Sequence, residues 1–296
     1  RSGDAYATGM SAGNRLNLKS GFIQAFGSVS EQGNTKSGAA NVYGFDADTS
    51  GVAIGFDGIT ENGSTIGLSA SYSSTDVDGK GTGKAKNSID SYVVSVYTDK
   101  ATDSGYIEGS FTYGINDNTS SRLVDVAGLS RAYTGLYDSQ QISLKVSAGI
   151  PREFKEDIFV TPYGSLAGTS ISTDTYTETS TTASDNLRLN VAQDDILSFV
   201  GSIGLKAHMV TNSGTPMVSF AINNEFGDKK IKSTNTYQGG GTAFKTSTDV
   251  EALSATFGIG YTFGNDISSL NLNYEAEVND DEYSSSYGSV KIITKF

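Results

Sequence analysis

Alternation of apolar and polar residues is the feature that most constrains the fold of this chain, because it returns along nearly the whole sequence. A period of two is the pattern of a β-strand whose two faces meet different surroundings. Twelve runs follow it, at residues 20–30, 48–59, 64–76, 87–98, 105–116, 136–151, 157–170, 196–210, 217–227, 251–263, 268–278 and 286–296. Pro162 weakens the seventh run, since proline cannot donate to a strand ladder. The pattern predicts an all-β protein with twelve strands.

The lengths of the runs and of their connections favour a membrane barrel over a soluble sandwich, although both folds alternate. Most runs exceed the roughly five to six residues of a soluble strand and suit the roughly 9–11 residues of a tilted membrane strand. Short connections lie at 61–63, 100–104, 152–156, 212–214 and 264–265, and long polar ones at 31–44, 75–86, 117–135, 172–195 and 228–249. The last connection, 279–284, is a short exception. Tight turns at one end and long loops at the other predict a twelve-stranded antiparallel transmembrane β-barrel.

The composition agrees with a protein that is apolar outside and wet inside. Only 36% of the residues are hydrophobic, below the roughly 45–50% of a globular domain, yet there are 16 Tyr, 14 Phe and 35 Gly. No apolar stretch approaches the roughly 18 residues of a spanning helix, so any membrane span must consist of strands. The net charge of −12 argues against nucleic acid as a partner, and the lack of cysteine excludes disulfides. No signal peptide is present, so an exported chain is expected to be part of a longer precursor.

The two ends of the chain have different predicted roles. Residues 1–16 show little alternation and are interpreted as a linker or short helical segment, and residues 17–296 as the barrel. A helix is roughly 10–12 Å across, so a twelve-stranded lumen can house one helix or an extended segment. An even strand number puts both termini on one side, and residues 1–16 can therefore enter the pore. In the last strand, Val290, Ile292, Thr294 and Phe296 are predicted to face outward, and Lys291 and Lys295 inward. Ile293 would also point inward, which has no explanation unless it packs against the linker helix.

Several stretches, in a fixed order, resemble the translocator (β) domain of type Va autotransporters. They are Asn14-Arg15-Leu16, residues 21–27 (GFIQAFG), residues 44–57 (GFDADTSGVAIGFD), residues 66–73 (IGLSASYS), Asp90-Ser91-Tyr92, Thr161-Pro162-Tyr163, Tyr176-Thr177-Glu178 and the terminal Phe296. The block at 44–57 is specific, and the other stretches are individually weak. The family usually has tryptophan where Phe22 stands, which is a conservative departure.

This resemblance implies a function and a set of partners. It implies a bacterial outer-membrane barrel with an N-terminal helix in the pore, through which the chain's own passenger polypeptide, upstream of Arg1, is secreted to the cell surface. It also implies periplasmic chaperones and insertion by the barrel-assembly machinery, which would read the last strand with Phe296 as its signal. Outer-membrane lipid and lipopolysaccharide are the expected surroundings.

The sequence offers little chemistry of an enzyme. His208 is the one histidine, and no partners are spaced to make a catalytic or metal site with it, so it is interpreted as a solvated lumen or rim residue. Acidic pairs such as Asp194-Asp195 lie in predicted loops without the spacing of a calcium loop. Some relatives cleave themselves between two asparagines, but the one Asn-Asn pair, Asn223-Asn224, lies inside the ninth run. No enzyme activity, cofactor or metal is therefore predicted.

The polar face of each run should line the pore. Its candidates are Glu108, Ser110, Gln141, Ser143, Lys145, Ser198, Lys206, Asn271, Asn273, Glu275 and Lys291, together with Arg15 from the linker. These residues either simply keep the lumen wet or also let a polypeptide slide without sticking, and Arg15 is expected to pair with an acid such as Glu108. Outward-facing aromatics should form interfacial girdles, and they are Tyr72, Tyr113, Tyr261, Tyr274 and Phe257.

Secretion is the leading functional expectation, and two alternatives stay open beside it. One is a surface-exposed outer-membrane barrel that acts as an adhesin or a pore without a secretion role. The other is an outer-membrane hydrolase, which the unpartnered His208 disfavours.

Overall fold

Twelve long strands form one closed sheet in the computed structural model, which describes residues 20–296 except 38, 39, 61, 127, 182–184, 266 and 281. The strands are β1 (Ser20–Gln32), β2 (Phe45–Ile59), β3 (Ser64–Gly79), β4 (Lys86–Ala101), β5 (Tyr106–Val126), β6 (Leu129–Gly149), β7 (Ile158–Thr173), β8 (Ile196–Met209), β9 (Thr215–Glu225), β10 (Leu253–Gly264), β11 (Ser268–Asn279) and β12 (Tyr283–Lys295). The predicted antiparallel barrel is confirmed. The predicted linker, residues 1–16, lies outside the described residues.

The barrel closes between its first and last strands. β12 pairs with β1 in continuous register from Ser20 opposite Lys295 to Gln32 opposite Tyr283. Closure leaves neither strand with an open row of backbone donors and acceptors, which a bilayer could not satisfy. The described residues contain no helix that is long and apolar enough to cross a membrane.

The two ends of the barrel differ in their connections. At one end, the turn end, the strands are joined by residues 60–63, 102–105, 150–157, 210–214 and 265–267. The opposite end, the loop end, carries the connections 33–44, 80–85, 127–128, 174–195, 226–252 and 280–282. Ser20 and Lys295 both lie at the turn end. At the loop end, a four-stranded sheet joins the connections 174–195 and 226–252, and its strands are Tyr176–Thr177, Leu189–Gln193, Lys230–Tyr237 and Phe244–Asp249.

The predicted long loop at 117–135 is wrong. β5 runs on to Val126 and β6 begins at Leu129, so the two strands form a hairpin that extends beyond the rest of the barrel. Gly128 makes its turn with φ 83°. The extension shows no regular alternation of apolar and polar residues because both of its faces lie outside the membrane, and alternation could therefore not reveal it. The predicted loop 75–86 is likewise shortened, since β3 continues to Gly79.

A belt of exposed apolar side chains surrounds the barrel. Ile203 is 71% exposed, and the outward-facing Phe56, Ile259 and Phe257 are also more than half exposed. Soluble proteins rarely show a contiguous apolar surface of more than a few hundred Å², so this belt faces lipid. Pro162 is tolerated on this outward face of β7 because the pairing of β7 with β6 begins only at Tyr163, one residue later.

Inward-facing aromatic rings lie over glycines of neighbouring strands. The ring of Tyr97 on β4 covers Gly67 on β3, where an added Cβ would lie 2.0 Å from the ring. Phe22 on β1 covers Gly55 on β2 in the same way, with a Cβ distance of 2.5 Å. Glycine is needed at these positions because the aromatic ring of the adjacent strand occupies the space that any other side chain would fill.

Candidate functional site

The barrel lumen is the candidate site, and it contains two adjoining polar cavities. The cavity nearer the turn end has a volume of about 480 Å³, and the one nearer the loop end about 900 Å³. Lys145, Ser165 and Glu275 line both cavities, so the two lie end to end along the lumen. Strand parity explains the polarity, since the face opposite the apolar belt is the one that turns inward.

The structure brings most of the predicted pore residues together on this inward face. Those that line the turn-end cavity are Glu108, Ser110, Lys145, Lys206, Asn273, Glu275 and Lys291. Gln141 lies beside Gly114, within 2.8 Å of where a Cβ would stand, and Asn271 is buried opposite Lys291. Arg15 lies outside the described residues. The role of these side chains in the passage of a polypeptide stays a prediction.

Two lysines of the lumen lie against aromatic rings. Lys206 Nζ is 4.7 Å from the ring centre of Tyr163 and 5.9 Å from that of Tyr106. Lys291 Nζ lies 3.9 Å from the ring centre of Phe22, in the range of a cation–π contact. Both ammonium groups therefore interact with the barrel wall. Tyr106 and Tyr163 are not among the predicted pore residues, although their parity with Glu108 and Ser165 could have revealed them.

His208 is not the solvated residue that the sequence suggested. Its side chain is buried, with the residue 4% exposed, and its ring stacks on Phe159 at a centroid distance of 5.1 Å. The pairing of β7 with β8 places these two residues directly opposite each other. His208 is therefore a packed wall residue of the lumen, and among the described residues no group of three or more metal-ligating side chains is found.

Only one of the two carboxylate oxygens of Glu108 has a hydrogen-bond partner among the described residues. Ser147 Oγ donates a hydrogen bond of 2.9 Å to Glu108 Oε2, and Glu108 Oε1 is buried without a hydrogen-bond partner among the described residues. A buried carboxylate oxygen usually has a partner. The pairing of Glu108 with Arg15 is not tested by the described residues and stays a prediction.

Outside the apolar belt, an ion pair fastens connection 174–195 to the extended hairpin. The outward side chains of β5 are apolar up to Ile115 and change at Asp117, so Arg122 lies beyond the membrane. Its Nε and Nη2 donate 2.6 Å hydrogen bonds to the two carboxylate oxygens of Glu178. Glu178 also accepts the backbone N–H of Leu189 at 2.7 Å. Burial opposes the charge of Arg122, and the Glu178 carboxylate outweighs it, so the pKa of Arg122 is raised.

Asp185 makes a second attachment between the same two segments. Tyr133, which is fully buried, donates a 2.9 Å hydrogen bond to Asp185 Oδ2, and Arg131 Nη1 lies 2.8 Å from the same oxygen. The backbone N–H of Leu187 donates to Oδ1 at 3.0 Å. Burial works against ionisation of Asp185, but the Leu187 amide, Arg131 and Tyr133 together lower its pKa to about 2.

Solved structures with this fold include translocator domains. The translocator domain of the autotransporter NalP from Neisseria meningitidis matches with a TM-score of 0.75 and 16% identity, covering 96% of this chain and 90% of that one. The beta domain of the Bordetella autotransporter BrkA matches with a TM-score of 0.63 and 17% identity, covering 94% and 99%. Likeness at such identities establishes a shared fold.

Sequence comparison provides relatives and a family. The chain is 27% identical over 281 residues to Outer membrane protein A of Rickettsia conorii, which covers 86% of this chain but 13% of that protein. It therefore spans a small part of its relative's length. The family model of the autotransporter beta-domain matches residues 3–275, and this confirms the resemblance that the sequence motifs predicted. The protein is a barrel of the bacterial outer membrane, and the chain belongs to the autotransporter β-domain family.

Proposed function

We propose that this chain is the outer-membrane translocator of a longer autotransporter and secretes the passenger that precedes it to the cell surface. The observation that carries the proposal is the lumen: two adjoining polar cavities inside a closed twelve-stranded barrel of this family. Short turns of outer-membrane barrels lie in the periplasm and long loops outside the cell. The turn end is accordingly periplasmic and the loop end extracellular.

The lumen side chains support this function by the way their charges are held. Lys206 and Lys291 contact aromatic rings of the wall, and three lysines and three carboxylates line the same cavity. A wall of mixed charge without a large apolar patch offers a passing polypeptide few places to bind tightly. Residues 1–16 are the segment that would join the passenger to the barrel, with Arg15 beside Glu108.

A surface-display experiment tests the proposal. A signal peptide and a small protease-sensitive reporter are fused upstream of Arg1, and protease is added to intact cells of a Gram-negative host. The expected result is cleavage of the reporter in intact cells, while an internal periplasmic protein stays protected. A correctly inserted barrel whose reporter stays protected would overturn the secretion function and favour an adhesin or an idle pore.

A matched pair of substitutions separates passage through the lumen from general damage. Ser110 lines the turn-end cavity, and its neighbour Phe111 faces lipid. Ser110→Trp narrows the passage and is expected to lower the displayed fraction severalfold at equal barrel content, whereas Phe111→Trp should leave it unchanged. An equal effect of both variants would contradict passage through this lumen.

Insertion of the barrel by the assembly machinery, with the help of periplasmic chaperones, is part of the same proposal. The ring of Phe296 lies near Gly21 of β1, 3.1 Å from where a Cβ would stand, at the seam that closes the barrel. Deleting Phe296 is expected to lower the yield of folded barrel in cells more than refolding of the purified chain into lipid. Equal losses in both settings would indicate a structural role alone. Lipopolysaccharide is the proposed neighbour of the belt on the extracellular side.

A further inference from the structure

The connection 150–157, between β6 and β7, differs from the other described connections of the periplasmic end. It is the longest of them, and it contains the additional strand Arg152–Lys155, which pairs with the first residues of β7. Within the part of the chain that the structure describes, this short strand has no second neighbour. Residues 150–157 therefore form a spur that extends the barrel wall toward the periplasm.

Phe154 is the most exposed large hydrophobic side chain of the described residues, at 80%. It lies at an irregularity in the pairing, because Lys155 is opposite Ile158 and Glu153 is opposite Phe159, which leaves Phe154 without a partner residue. An extra residue of this kind is a β-bulge, which changes the direction in which a side chain points, and β-bulges are frequent at the rims of barrels. The backbone carbonyl of Asp157 accepts the N–H of Val210 at 2.8 Å, which ties the spur to the next turn.

The spur continues the lipid-facing belt. Besides Phe154, the spur exposes the apolar side chain of Ile150, and Leu205, Met209 and Val210 are exposed apolar residues of β8 and of the turn that follows it. They join Phe154 to the surface that faces the membrane, and no soluble partner is needed to explain that surface.

The aromatic residues of this rim are unevenly distributed. Near the periplasmic end, outward-facing rings lie on β2, β10 and the end of β12, and they are Phe56, Tyr261, Phe263 and Phe296. On the strands β5 to β8, the outward positions closest to this end are Ile107, Ala148, Val160, Pro162, Ala207 and Met209, none of which is aromatic. Aromatic rings favour the layer between headgroups and acyl chains. Phe154 is placed to supply the ring that this side of the wall lacks.

We propose that the spur 150–157 is a membrane anchor and that Phe154 inserts into the interfacial layer of the periplasmic phospholipid leaflet. Residues 152–157 carry two basic and three acidic side chains, so apolar contact and not charge holds the spur to lipid. Anchoring should therefore need no anionic phospholipid. The proposal does not depend on whether the barrel secretes a passenger.

The chain contains no tryptophan, so Phe154→Trp creates a single fluorescent probe at this position. The full chain is folded into phosphatidylcholine vesicles whose acyl chains carry bromine either near the glycerol or near the terminal methyl group. Phe111→Trp on the lipid-facing side of β5 and Phe244→Trp on an extracellular strand are the matched controls. Resistance of the folded band to detergent at room temperature verifies that each variant forms the barrel.

The expected result is an ordered set of quenching patterns. In the Phe154→Trp chain, bromine near the glycerol should quench the indole by at least twofold and more strongly than deep bromine, with blue-shifted emission. The indole of Phe111→Trp should be quenched more by deep bromine, and that of Phe244→Trp by neither. Adding anionic lipid should not change the quenching in the Phe154→Trp chain. Emission from its indole that is red-shifted and unquenched, like that of the extracellular control, would overturn the proposal, and the spur would then be a surface for a soluble periplasmic protein.

Discussion

Replacing Glu178 by glutamine is expected to loosen the extracellular connection 174–195 while the barrel stays closed. Glutamine keeps the size of the side chain but removes the charge that receives two 2.6 Å hydrogen bonds from Arg122. The backbone N–H of Leu189 can still donate to the remaining amide oxygen. The barrel strands keep all of their backbone pairs when this contact is lost, so their register should not change.

The size of the effect follows from the contact. A hydrogen bond to a charged partner contributes about 1.5–3 kcal/mol. Because a quarter of the Arg122 side chain stays exposed to water, we expect the loss of both bonds together to cost about 1.5–3 kcal/mol. Because each 1.4 kcal/mol is a factor of ten, the connection should open about ten to a hundred times more often. Backbone amides of Leu189–Gln193, which pair within the four-stranded sheet, should exchange hydrogen faster by the same factor.

Hydrogen exchange followed by mass spectrometry on the detergent-solubilised barrel measures this directly. The control is Asp78→Asn, which removes another ion pair outside the membrane, with Lys86 at 2.6 Å. Both side chains of that pair are more than half exposed, so its loss should change exchange little. If Glu178→Gln left the exchange of Leu189–Gln193 as in the unchanged chain, or if it sped exchange in β12 equally, the buried pair would not be what holds the connection.

Three further outcomes follow from the same structure. The pKa of Asp185 in the folded state is lowered to about 2 from 3.8. The stabilisation that Asp185 gives to connection 174–195 is therefore complete above about pH 4 and is lost as the pH falls toward 2. Hydrogen exchange of this connection, corrected for intrinsic rates, should rise only between these two pH values. Gly67→Ala must displace the ring of Tyr97 and should lower the free energy of unfolding by about 1–3 kcal/mol, measured by denaturant titration in vesicles, and no loss would mean that the ring moves freely. Ile203→Arg on the lipid face should cost about 2–4 kcal/mol in the same assay, whereas Ser202→Arg in the lumen should cost much less; equal losses would contradict the assignment of faces.

The number of strands and the direction of their side chains were predictable from the sequence. Alternation is local, since successive residues of a strand point to opposite faces whatever lies across from them. Lys291 could therefore be placed inward and Val290 outward before any partner strand was known. The membrane strengthens this signal, because lipid tolerates few polar groups and a wet lumen needs few apolar ones.

Alternation does not identify a strand when both faces of that strand meet water. The extension of β5 and β6 beyond the membrane is mostly polar and lacks regular alternation, and it was predicted as a loop for that reason. The motif Tyr176-Thr177-Glu178 was recognised in the sequence without a physical role. The structure supplies one, because Tyr176 stacks on Tyr137 at 4.3 Å and Glu178 binds Arg122.

A twelve-stranded barrel with an apolar outside and a polar inside could be predicted from the order of the residues alone. Which distant residues meet is visible only in the folded barrel. It places Ile293, an inward apolar residue that alternation could not explain, directly across from Phe22 at the seam of β1 and β12. It joins Arg122 to Glu178 across 56 positions and leaves Phe154 unpaired at a bulge. Such contacts depend on register and closure, and these are properties of strand pairs that no single strand encodes.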